Sequence, residues 1–176
     1  MLKTKDKPVD EVFLMNVAQR VPHFLTATLV NLTKTLLLQK EYFRNHPIWS
    51  VLESELFKRR NNLNNEQLAD VIYSFGISGN GQKDFYVQLE ETITDSPIPI
   101  ESEYLQKIIE GYCQIDMGSP ELYGSIVQKF IDRGLNNLSP KDLTHIAKCL
   151  GKATNVQKGG FGFYKEMEVE LRNRLN

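Results

Sequence analysis

Apolar and small side chains recur along this chain in one fixed spacing. From Leu63 the positions are Leu63, Leu68, Val71, Ile72, Phe75 and Gly76, an anchor followed five residues later by a stripe at steps of 3, 1, 3 and 1. The spacing returns 37 residues on, at Ile100, Leu105, Ile108, Ile109, Tyr112 and Cys113, and 38 further, at Leu138, Leu143, Ile146, Ala147, Leu150 and Gly151. It also begins 39 residues before Leu63, at Phe24, and runs through Leu29, Leu32, Thr33, Leu36 and Leu37, with Thr33 the one polar member. Steps of three and four keep side chains on one face of an α-helix, whereas a strand would alternate. Four amphipathic helices in register are therefore predicted.

A second stripe follows each of them at offsets 0, 1, 4 and 8. Its members are Ile48, Trp49, Leu52 and Leu56; Phe85, Tyr86, Leu89 and Ile93; Leu122, Tyr123, Ile126 and Phe130; and Phe163, Tyr164, Met167 and Leu171. The recurrent aromatics Trp49, Tyr86, Tyr123 and Tyr164 read as packing residues whose polar tips reach the edge of the core. Breakers separate the two helices of each unit: the stretch ending His46-Pro47, Ser78-Gly79-Asn80-Gly81, Met117-Gly118-Ser119-Pro120 and Lys158-Gly159-Gly160. Others separate the units: Asn61-Asn62, Ser96-Pro97-Ile98-Pro99 and Gly134 to Asn137. Helix starts are marked by Ser139-Pro140 and by the side-chain oxygens of Asn65 and Ser102, with Glu66, Glu103 and Asp142 in the first turns.

The chain thus divides into a segment of residues 1–21, with a capping helix over about Val9 to Val21 closed by Pro22, and four helical hairpins of period 37–39 at about 22–60, 61–97, 98–135 and 136–176. The fold class expected is all-α, a short right-handed α-solenoid of about nine helices forming one continuous domain. With layers 8–10 Å apart it would be about 40 Å long. Eleven residues after each anchor stand Thr35, Ser74, Gly111 and Cys149, all small, which points to close approach between helices there.

The unit resembles a known class of helical repeat. Leu63-Asn-Asn-Glu-Gln-Leu68 and Leu138-Ser-Pro-Lys-Asp-Leu143 carry an anchor followed by a leucine five residues on. In this they resemble the heptatricopeptide and octotricopeptide type of organellar repeat, and are similar to the helical region of the Fas-activated serine/threonine kinase family of mitochondrial RNA proteins. The resemblance covers roughly residues 22–175 and implies an organelle, most often the mitochondrion, and often RNA. Two departures weigh against RNA processing: the array has only four units, and nothing after Leu175 corresponds to the C-terminal nuclease-like domain of many such proteins.

Charge weighs against RNA as well. The 176 residues carry 21 Lys and Arg against 22 Asp and Glu, a net charge of -1, so no overall positive field gathers a polyanion. Repeat proteins that read RNA turn one residue per unit toward a base. At offset seven this chain has Asn31, Asp70, Lys107 and His145, and at offset ten Lys34, Tyr73, Glu110 and Lys148, so acids interrupt any basic track. On this register Leu105 and Ile146 are core positions, and replacing Asp70 by alanine is expected to be nearly silent.

The residues assign no site for chemistry: catalytic, cofactor-binding and metal sites are each expected to be absent. His23 and His46 adjoin prolines at helix starts, and His145 lies between core positions, so surface or capping roles are read for all three. Cys149 and His145 share a helix face by their spacing, without an orienting group in view. Cys113 and Cys149 show no metal-ligand spacing and imply a reducing compartment. Gly79-Asn80-Gly81-Gln82-Lys83 and Gly159-Gly160-Phe161-Gly162 join helices instead of following a strand, which removes them as phosphate loops. Glu166, Glu168 and Glu170 alternate along a helix and cannot converge on one ion; with Glu90-Glu91 they read as solvated faces. Lys58-Arg59-Arg60 complements a helix C-terminus.

No apolar run approaches the roughly 20 residues of a membrane span. Met1 to Pro8 lacks the apolar stretch of a secretory signal, and a transit peptide would be atypical or already removed. The function expected is a non-catalytic structural or scaffold subunit whose partners are proteins of a larger, multi-subunit assembly, with an organellar membrane or ribosomal complex among the candidates. The resemblance places it in the mitochondrion, and failing that the cytoplasm. An organellar RNA-binding adaptor is the alternative.

Overall fold

The computed structural model describes residues 11–94, 99–153 and 161–175. The Met1 to Pro8 segment, Val9, residues 96–98 of the Ser96 to Pro99 linker and the Lys158-Gly159-Gly160 breaker lie outside the described residues. Among the described residues there is no strand, and ten α-helices run in order: α1 (Glu11–Arg20), α2 (Thr26–Leu38), α3 (Lys40–Phe43), α4 (Ile48–Lys58), α5 (Asn65–Ser78), α6 (Lys83–Thr94), α7 (Ser102–Gln114), α8 (Pro120–Asp132), α9 (Pro140–Lys152) and α10 (Phe161–Leu175). The helix beyond the nine expected is α3, a single turn in the loop before His46-Pro47 that buries Phe43.

Both stripes build the core, although of the four stripe members in α10 only Phe163 is buried and Gly151 at the end of the α9 stripe is exposed. Every stripe member of α5 and α7 is buried, as are all four of α4, α6 and α8. Thr33 fits the same interior because its Oγ1 donates to the Val30 carbonyl at 2.7 Å, satisfying the hydroxyl locally. The helices touch in two sequences. In one, α2 meets α5, α5 meets α7 and α7 meets α9; in the other, α4 meets α6, α6 meets α8 and α8 meets α10. α1 packs on α4 through Leu14, and a 3-10 turn, Val21–His23, follows it.

The closest of these approaches joins α5 to α7. A Cβ added to Gly76 would stand 2.6 Å from the Cα of Gly111, and one added to Gly111 would stand 2.6 Å from the Ile72 carbonyl oxygen. Backbone meets backbone here, so the small residue expected at Gly111 is sterically required. Ser74 and Cys149 at the same offset are buried, whereas Thr35 is exposed and its smallness has no packing role.

Helix starts differ in detail from the sequence reading. Ser139 caps α9 through the Asp142 amide at 3.1 Å, as expected. In α5 the cap is Asn64, not Asn65: its side chain accepts from the Gln67 amide while Gln67 reaches back to the Asn64 amide, a reciprocal capping box. Ser102 is not a cap either; Glu101 takes that place on α7 without a side-chain bond, and the Ser102 hydroxyl instead accepts from Arg133. α5 ends at Gly79, whose φ of 71° is the left-handed conformation that closes a helix cheaply only with glycine.

The aromatic tips do reach polar partners, and in a repeated way. Trp49 Nε1 donates to the Phe43 carbonyl at 2.9 Å, Tyr86 Oη to Asn80 at 2.5 Å and Tyr123 Oη to Met117 at 2.6 Å, each six residues earlier in the loop before its helix. Tyr164 departs from the series and donates to Ala147 on α9 at 2.9 Å.

The two buried or inserted glycines of the helices should separate packing from propensity. Gly76→Ala is expected to cost about 1–3 kcal/mol, because the α5 and α7 backbones must part. Gly124→Ala, mid-helix in α8 with no described residue within 4 Å of the added carbon, should instead stabilise by about 0.5–1 kcal/mol. Chemical denaturation of the two variants checks both signs.

Candidate functional site

The polar offsets that a base-reading repeat would present are engaged with one another. Lys34 on α2 and Lys107 on α7 both donate to Asp70 on α5, at 2.7 and 2.8 Å. Asp70 is only 4% exposed, so it is not the dispensable surface residue that the register implied. Two ammonium groups from the flanking helices converge on it. Burial by itself raises the Asp70 carboxyl, but hydrogen bonds and charge from Lys107 and Lys34 outweigh it and hold the pKa below its ordinary value. Further along, His145 Nε2 on α9 lies 2.9 Å from Glu110 on α7. An offset-ten residue therefore meets the offset-seven residue of the following first helix twice, as Lys34 to Asp70 and as Glu110 to His145. Tyr73 lies within reach of the charges of Glu110 and Lys107, and burial and Glu110 raise its hydroxyl.

The structure also brings Cys149 to His145, with Sγ 3.7 Å from Nε2. With Glu110 this makes a Cys-His-Glu cluster, the orienting acid coming from a helix that the sequence does not connect to it. The geometry is nevertheless wrong for a nucleophile. In a working triad one ring nitrogen faces the nucleophile and the other the acid, whereas here both contacts fall on Nε2. Burial, with Glu110 adding to it, pushes the Cys149 thiol up to about 11, so it is protonated at neutral pH. Cys113 is pushed up to about 12, chiefly by burial, despite its contact with Tyr123 Oη. His46 does cap: its Nδ1 accepts from the Ile48 amide at the start of α4 at 3.2 Å. His23 is exposed.

Other polar side chains close the hairpins. Arg59 donates to the Phe24 and Pro22 carbonyls at 2.6 and 2.9 Å and to Glu55, so it clasps the end of α4 to the start of α2. Arg174 does the same in the last hairpin, donating to the Leu138 carbonyl at 2.8 Å. Both stand eleven residues after the start of the second stripe, as does Arg133, and that recurrence is the signal by which the clasp could have been found. Glutamates link successive second helices: Glu53 on α4 accepts from the Gln82 amide ahead of α6, and Glu90 on α6 accepts from the Ser119 amide and hydroxyl ahead of α8. Glu90 is thus a structural acceptor and not a solvated side chain. Glu168 and Glu170 pair with Arg172 and Arg174 at helical spacing.

Beside Glu90 a cleft of about 810 Å³ opens between α6, the end of α7 and the start of α8. Tyr86, Val87, Ile115 and Met117 give it an apolar wall, and Glu91 and Glu121 stand at its sides. Among the described residues no group of His, Cys, Asp and Glu is placed to hold a metal ion, and no helix is long and apolar enough to cross a membrane. Searches of protein-family models, curated proteins and solved structures return no match to this chain.

Two measurements probe these groups. Asp70→Asn is expected to lose about 1–2 kcal/mol at neutral pH. Because the native carboxyl is held below 3.8, its contribution is present above that pH and disappears as the pH falls through the native value, so wild type and variant should converge in acid denaturation curves. For the cysteines, alkylation of the native protein at pH 7.5 should proceed far more slowly than with free cysteine and become fast on unfolding; a native thiol faster than free cysteine would contradict the geometry drawn for Cys149.

Proposed function

We propose that this chain is a non-catalytic scaffold subunit: four helical hairpins stacked as a short right-handed solenoid behind an N-terminal capping helix, docking proteins within a larger multi-subunit assembly. The observation that carries the reading is the use made of Lys34, Asp70, Lys107, Glu110 and His145. A repeat that reads RNA needs those offsets free to face nucleobases and phosphates, and here they bind neighbouring helices. Even the two lysines nearest the centre have a carboxylate between them, which cancels most of the field that a phosphate would feel.

The stacking supports the same role. Each hairpin touches the next through both of its helices, and such arrays bury a continuous interior while leaving long outer faces for contact. The likeness of the repeat to the heptatricopeptide and octotricopeptide type favours an organellar setting, the mitochondrion first. The RNA-binding adaptor remains the competing reading through that likeness alone.

Binding to a labelled single-stranded RNA, measured across a salt series, tests the choice. Weak binding that vanishes by physiological salt is expected, and sub-micromolar affinity there would overturn the scaffold reading. In parallel, native purification with mass spectrometry should return the chain in stoichiometric company with other proteins.

A further inference from the structure

The fourth hairpin exposes positions that the other three bury. At the second offset of the second stripe Trp49, Tyr86 and Tyr123 are 2%, 1% and 0% exposed, but Tyr164 is 37% exposed. At the last offset Leu56, Ile93 and Phe130 are 0%, 0% and 1% exposed, but Leu171 is 41% exposed. The following hairpin supplies part of the missing cover elsewhere: the Phe75 ring lies 4.9 Å from that of Trp49, and Tyr112 lies 5.8 Å from Tyr86 and donates to its carbonyl.

The first helix of this hairpin is open in the same manner. Gly76 and Cys113, thirteen residues after their anchors, are buried, whereas Gly151 at that offset is exposed, and among the described residues only the Tyr164 hydroxyl lies near the place of an added carbon, at 3.4 Å. Gly76 is where α5 admits α7 backbone to backbone. Gly151 offers a glycine surface of the same kind, edged by the Tyr164 hydroxyl that donates to Ala147 one turn back. Lys148 stands at offset ten, the place from which Lys34 reaches Asp70 of the next helix, and it is exposed. Lys141 and Lys152 are exposed on the same helix, so the α9 side of the face is cationic, while on the α10 side Glu168 is paired with Arg172.

We propose that the outer face of the fourth hairpin, formed by Lys148 and Gly151 on α9 and Tyr164 and Leu171 on α10, docks an α-helix of a partner protein that sets a carboxylate against Lys148 and a small residue against Gly151. The partner continues the contact that α5 makes with α2 and α7 makes with α5, so its chemistry is fixed by the pattern already present: an acid in the place of Asp70, and glycine, serine or alanine in the place of Gly111 or Ser74. A second copy of this chain meeting α9 to α9 would set lysines against lysines, which disfavours that pairing. The inference rests on the scaffold reading and names the surface through which that role is exercised.

The chain's own α5 is the probe, since it is the helix that already receives a lysine from offset ten. A synthetic peptide of residues 63–79, held helical by a lactam bridge on its solvent side, is titrated into the isotope-labelled intact protein. Amide shifts should concentrate at Lys148, Gly151 and Leu171. Gly151→Leu should weaken the peptide at least about tenfold by forbidding close approach, and Lys148→Glu about threefold, as an exposed ion pair allows. Both sites are exposed, so circular dichroism should show the fold retained. A peptide with Asp70→Lys should then prefer the Lys148→Glu protein over wild type. Shifts clustering on α1 or in the cleft beside Glu90, or indifference to Gly151→Leu, would overturn the proposal, as would self-association of the protein abolished by Gly151→Leu. Native assemblies of the Gly151→Leu protein separate this from the broader reading: partners retained by wild type and variant alike leave the scaffold role in place and remove this surface from it.

Discussion

The contact between Gly76 and Gly111 is the constraint around which the rest of the molecule is arranged. Two helices whose backbones touch have one permitted separation and little freedom to slide, because each glycine sits against the main chain of the other helix. That fixes α5 and α7 as a pair at the centre of the chain. Asp70 then lies between α2 and α7 at a distance that lysines from both sides can reach, and Ile72, Phe75, Ile108 and Tyr112 are sealed from water. Larger side chains at the two glycines would widen the gap and withdraw the carboxylate from at least one lysine.

Around that pair polar ties recur as well, though not in every unit. Indole and phenol tips hold the carbonyl six residues back, glutamates of one second helix hold the amides that open the next, and arginines clasp the end of a hairpin to its beginning. Each of these satisfies a backbone group at a helix end or in a loop that hydrophobic packing leaves unpaired. The apolar stripes supply the driving force for stacking, and the recurrent polar ties select one register of stacking over its neighbours.

What the sequence made legible follows from what recurs. The apolar spacing predicted an all-α chain of about nine helices, and the further helix, α3, is a single turn with no stripe of its own; Leu105, Ile108, Leu122 and Ile126 are buried as their offsets required. Asp70 was misread because charge at a helical offset carries no mark of what faces it; its two lysines lie 36 and 37 residues away in sequence, one on each flanking helix. Glu110 was invisible to the Cys149 and His145 pair for the same reason. The capping residue of α5 was displaced by one position, to Asn64, because adjacent asparagines offer the same side chain and only backbone conformation chooses between them.

The loop ties have a consequence for how the chain can change length. In the first three hairpins an aromatic must find a carbonyl six residues behind it, so a residue gained or lost inside that interval strands a buried polar tip. The fourth hairpin is released from the rule: Tyr164 is anchored on Ala147 of α9, and the interval from Lys152 to Phe161 is the longest breaker between paired helices after the one that contains α3. A change of length in the loops before α4, α6 and α8 is thus costly in a way that a change of residue is not, because the tie ends on a backbone carbonyl that any residue supplies.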